Sequence, residues 1–246
     1  MIEDTDADMI EGLLQKLDLS KGLALIVNSP GGIGIAAERI MNVCKSYSGN
    51  GEFVALVPSK AKSAATMVCF GASKIYMSPT SELGPIDPQI TIQKDEKAMR
   101  LAVCNIVQSY KELFENAVKA TGHLEPYLQQ LANYDAREIK EFEAAISLAS
   151  DVAVRALENG MMNKLDEKKI REHIKIFLTP EKTKTHGRAI FYKEAQKSNL
   201  KIELIDVKSK LWELLYELYI RTNNFTNTRV AKCIENKDFS FAVSLN

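Results

Sequence analysis

The sequence predicts an α/β protein built on a parallel sheet, with a helix-rich second half. Two observations carry that prediction. Short apolar runs at 23–28 (LALIVN), 53–58 (FVALVP) and 74–78 (KIYMS) alternate with segments of helical periodicity through short links, the pattern of parallel layering. After a loop crowded with Pro, Gly and Ser (SPTSELGPIDPQ), residues from about 94 to 175 read as almost continuous helix.

Taken in order, residues 5–18 open with capping-type side chains and then place Met9, Ile10, Leu13, Leu14 and Leu17 at helical spacing. The run at 23–28 is too short for a buried helix, lies between Gly22 and SPGG, and suits a strand covered on both faces. A helix over about 34–48, the strand at 53–58, a helix over 63–72 and the strand at 74–78 follow. Breaks in the long helical region fall at 121–123, near 133–135 and at 158–163. Mixed structure returns around 187–206, with a closing strand near 201–205. Residues 206–222 place Leu211, Leu214, Leu215, Leu218 and Tyr219 on one face, an amphipathic helix that needs a partner surface. No repeat or polar linker divides the chain, so 1–205 is expected to be one domain and 206–246 a helical extension.

Composition removes several function classes. Thirty-two basic side chains balance 32 acidic ones, which argues against a general nucleic-acid binder. No apolar run approaches the roughly 20 residues needed to span a bilayer, and the first residues are acidic, so a soluble, cytoplasmic protein is expected. Cys44, Cys69, Cys104 and Cys233 form no CxxC pair and read as reduced packing residues, while His123, His173 and His186 offer no HxxxH pair for zinc. No metal or cofactor is expected.

Chemistry concentrates in two turns. In VNSPGGIGIAAERI a strand, a glycine loop and a helix start bring main-chain N–H groups to one place, suited to a developing negative charge. Gly32, Gly34 and Ala37 also fit a dinucleotide fingerprint, but no acidic residue ends the following strand to hold a ribose. Ser63 follows the second strand at the head of an apolar helix, where it is either a nucleophile at the sheet edge or a helix N-cap.

SPGG at 29–32, SAATM at 63–67, the strand KIYMSP and SELGPIDPQ, in that order and spacing, resemble the serine dehydrogenase proteinase family of the Clp-like serine peptidase superfamily, related to signal peptide peptidase A and NfeD-type peptidases. The resemblance runs from about residue 5 to 205. It implies a Clp/crotonase-like fold and a serine endopeptidase acting on peptides, with Ser63 as nucleophile and the amides of Gly31, Gly32 and Ala64 as oxyanion hole. It also implies a homo-oligomer, a strand ahead of the first helix that this sequence lacks, and no counterpart for residues beyond 223. Thr66, preceded by two alanines, competes for the nucleophile role. Asp87 stands where Clp peptidases have histidine, so the base is left open among Lys94, Lys97 and His186, with Asp87, Gln89 and, if it is not the nucleophile, Thr66 orienting the base or binding substrate. An inactive scaffold, and a crotonase-like acyl-thioester enzyme, are the rival readings.

Overall fold

The computed structural model describes residues 1–49, 51–94 and 97–245, without the side chains of Lys94, Pro180 and Glu181. The chain runs α1 (Asp4–Leu14), β1 (Leu23–Ile26), α2 (Gly34–Ser48), β2 (Phe53–Val57), β3 (Lys60–Ala61), α3 (Ala64–Phe70), β4 (Lys74–Met77) and β5 (Glu82–Leu83). A hairpin of β6 (Gln89–Lys94) and β7 (Lys97–Ala102) comes next. The helical stretch comprises α4 (Val103–Lys119), α5 (Glu125–Leu131), α6 (Ala136–Glu158), α7 (Glu167–His173), α8 (Lys175–Leu178) and α9 (Pro180–Thr183). The chain closes with β8 (Ile190–Phe191), α10 (Tyr192–Lys197), β9 (Ile202–Leu204), α11 (Lys210–Thr228), β10 (Val230–Glu235) and β11 (Ser240–Ser244).

The predicted parallel sheet is present, with order β1-β2-β4-β9 and every neighbour parallel. Alternation dictates its two faces. Phe53, Ala55, Val57, Ile75 and Met77 point into the main core, while Val54, Leu56, Lys74 and Tyr76 stay half-exposed on the other face. There Leu56 and Tyr76 meet Ile205, Trp212 and Leu215. The expectation that residues 23–28 are covered on both faces is therefore corrected. Ala24 and Ile26 are exposed; the cluster that α11 makes on the second face takes in Leu56 of β2 and Tyr76 of β4, not β1.

Three further differences have local causes. Helix was predicted from 94, but Ile90 and Ile92 alternate with Thr91 and Gln93, a period-two pattern that pairs with 97–102 as the exposed hairpin; helix begins only at Val103. On α11 the buried positions are Trp212 and Leu215, whereas Leu211, Leu214 and Leu218 face outward. The tail is not solely helical: β10 and β11 form an antiparallel hairpin, and Lys232 bonds Asp6 at 2.6 Å and Glu3 at 3.1 Å, tying the hairpin to the first turn of α1. Ahead of α1, Ile2 bridges Gly32.

Candidate active site

Beyond the main sheet, β3, β5 and β8 form a small second one, and its register decides what meets what. β3 runs parallel to β5, and β5 antiparallel to β8. The residues after β3, those after β5 and those before β8 thus all leave by one end. They are Ser63, Asp87 and His186. Extending the β5–β8 pairs Glu82↔Phe191 and Leu83↔Ile190 by the same rule gives 85 opposite 188 and 87 opposite 186. Asp87 and His186, 99 positions apart, are hydrogen-bonded there: His186 Nδ1 lies 2.8 Å from Asp87 Oδ1. The second carboxylate oxygen accepts from Gln89 Nε2 at 2.6 Å. Asp87's side chain is 2% exposed and that of His186 is 20% exposed, so the carboxylate is enclosed while the imidazole keeps an open side. A buried carboxylate needs such partners, and an imidazole donating through Nδ1 presents Nε2 as its acceptor.

Ser63 is half-buried and has φ +51° and ψ −122°. A side-chain-bearing residue held in that region is strained by about 1–3 kcal/mol, a feature that clusters at functional sites. It occupies the N-cap position of α3 without making the side-chain cap bond, so its hydroxyl is not spent on the helix. What fixes the backbone is α3 itself, buried at every position from Ala64 to Phe70, with Phe70 edge-on to Phe177 at 5.2 Å.

The glycine loop lies directly against Ser63. Ser29 bridges Ala61, with Ser29 N–H donating to Lys60 O (3.0 Å) and Lys62 N–H to Ser29 O (3.1 Å). At Gly31, φ is +104° and a Cβ would fall 2.6 Å from Ser63 Cβ and 2.7 Å from Lys62 O, so only glycine permits this approach. The Gly31 amide donates to Ser29 Oγ at 3.1 Å, while Gly32 is exposed. Ala64, the first residue of α3, has no carbonyl a turn earlier in its helix to receive its N–H.

The other sequence candidates lie differently. Thr66 is fully buried, and its hydroxyl contacts Ala61 O, Gly84 O and Gly84 N within 3.1 Å, which leaves it nothing for a substrate. Lys97 is exposed and paired with Lys94 at the hairpin's far end, about 17 Å along the strand from Gln89 at ~3.3 Å per residue. The side chain of Lys94 is outside the described residues. Lys62, the residue before Ser63, turns inward and is half-buried. Burial holds its ammonium below the ordinary lysine value, with Glu82 opposing the shift. Cys44 and Cys69 are buried packing residues, and burial pushes both thiols up to about 12, away from nucleophilic use.

Residues 2–109 match the family of ClpP-like SDH-type serine proteinases. This is the family that those sequence segments resemble, and the matched segment holds SPGG, Ser63 and Asp87 but ends before His186. Among curated proteins the chain is 33% identical over 85 residues to the uncharacterized protein MJ0137 of Methanocaldococcus jannaschii, covering 35% of this chain and 29% of that one. It is 32% identical over 66 residues to MJ1495 of the same organism, covering 27% and 22%. The chain thus spans less than a third of these relatives. Solved structures that it is similar to include two mutants of the 1510-N membrane-bound stomatin-specific protease, one in complex with a substrate peptide. Each is 15% identical with a TM-score of 0.35; coverage is 89% of this chain and 93% of the neighbour for the first, 83% and 92% for the second. No helix among the described residues is long and apolar enough to cross a membrane.

Proposed function

We propose that this chain is a serine peptidase in which Ser63 is the nucleophile, His186 the general base and Asp87 the residue that orients it. The observation that carries the reading is the His186–Asp87 hydrogen bond at the same sheet end as the strained Ser63. Asp87 fixes the imidazole proton on Nδ1, so that Nε2 takes the Ser63 proton as Oγ bonds to the peptide carbonyl carbon. The carbonyl oxygen becomes an oxyanion, held by the Ala64 N–H and the SPGG loop amides of Gly31 and Gly32, the first of which must leave Ser29 Oγ to contribute. The imidazolium returns its proton to the departing amine as the C–N bond breaks. A water molecule, deprotonated by the same Nε2, then hydrolyses the acyl-serine ester and frees Ser63. Residues 1–205 are assigned to this peptidase domain and 206–246 to an appended element, with peptides as substrates.

The test is labelling by a fluorophosphonate probe, read by intact mass. Wild type is expected to gain one adduct, Ser63→Ala none, and His186→Gln to label at least about a hundredfold more slowly, the scale of a lost general base. A wild type that does not label while remaining folded replaces the peptidase with the inactive scaffold.

A further inference from the structure

We propose that Lys62 is a positioning residue: its ammonium ties the chain leaving β5 to the chain entering β8 and thereby sets the place of the His186–Asp87 pair relative to Ser63. This rests on the reading of those three residues given above.

The need for such a tie follows from the ladder. Main-chain pairing between β5 and β8 stops at Leu83↔Ile190, although the two chains continue side by side to Asp87 and His186. Pro85 has no N–H to give, the Gly84 N–H is taken by Thr66 Oγ1, and the Ile86 N–H donates to Phe177 O at 2.9 Å. Among the described residues no main-chain hydrogen bond joins 84–87 to 186–189. Lys62 Nζ fills that gap, donating to Leu83 O at 3.2 Å and to Arg188 O at 3.3 Å, with Glu82 Oε1 at 3.2 Å. Three N–H donors meet three acceptors, one on each chain that must be joined plus a counter-ion. The side chain is only 12% exposed. Its stem passes over Gly84, where a Cβ would lie 2.4 Å from Lys62 Cδ, so the glycine opens the path. An exposed ion pair contributes little, but a donor shared by two half-buried carbonyls joins their chains, and removing it loosens that join. Because Lys62 immediately precedes Ser63, the same residue links all three ends.

The whole chain tests this through Lys62→Met, which keeps an unbranched stem and removes the terminal nitrogen with its donors, and Lys62→Gln, of the same length as Met with two donors retained. The first readout is the low-field proton resonance of the His186 Nδ1–H bond, assigned by its loss in His186→Gln and simple to isolate with three histidines in the chain. In Lys62→Met that resonance is expected to broaden beyond detection, with fluorophosphonate labelling at least about tenfold slower, the scale of a small misplacement. Lys62→Gln should fall between, and it decides the matter by the same resonance should the Met variant not fold. A resonance unchanged in position and width overturns the proposal, as does unchanged labelling in a variant of a wild type that labels. A wild type that does not label, combined with a resonance lost in Lys62→Met, removes the peptidase reading and leaves the positioning role standing.

Discussion

Helices α3 and α11 lie on different parts of the α/β scaffold and are held by different means. α3 is seven residues long and buried throughout. α11 is 19 residues long and buries only Trp212 and Leu215. The short helix has no freedom to shift, so the residue at its head is kept in a conformation that an exposed turn would relax. The long helix is fastened by two buried side chains, a cap and contacts with β10 such as Thr222 Oγ1 to Glu235, and most of its surface faces outward. Enclosure, rather than helix length, is what supports a strained residue such as Ser63.

That contrast can be broken by substitution. Phe70→Ala, in the enclosed helix, is expected to lower the free energy of unfolding by about 3–5 kcal/mol in urea titration. Gly31→Ala presses on the same helix head from the loop side. It should cost about 1–3 kcal/mol from positive-φ strain and slow fluorophosphonate labelling far more than the thermal midpoint shift alone explains. Ser209→Ala removes the cap that accepts from the Trp212 N–H, for about 1 kcal/mol, with faster amide exchange confined to the first turn of α11. Leu214→Gln, on the outward face, should stay within about 0.5 kcal/mol of wild type in the same titration. A large loss at Leu214 would mean that this face is covered in solution, and a second copy of the chain would show as an increased mass in light scattering.

Strands β1, β2 and β4 and helix α2 were legible because each carries its own local pattern, whereas two-residue β3 was not. Residues 23–26, 34–48, 53–57 and 74–77 fall where apolar runs and glycine punctuation place them. The hairpin at 89–102 was missed because its alternation is short and charged residues fill the turn region, which imitates a helix start. On α11 apolar residues surround the helix, so periodicity could not choose Trp212 over Leu211; the half-exposed Leu56 and Tyr76 of the sheet made that choice. At the candidate site, Ser63 and the glycine loop were visible as motifs. The partnership of Asp87 with His186 was not, because two-residue strands carry almost no signal and only their register brings the pair together. Lys62 was hidden for a related reason: a lysine among lysines reads as solvated until carbonyls from two other chain segments are seen around it.

The distance along the polypeptide between Asp87 and His186 also has a temporal meaning. A ribosome adding about 5–20 residues per second needs roughly 5–20 s to proceed from the first to the second. Under the proposed mechanism the nascent protein carries its attacking oxygen throughout that interval with nothing to withdraw the proton, and is harmless to itself and to its neighbours until His186 has been made and has reached Asp87.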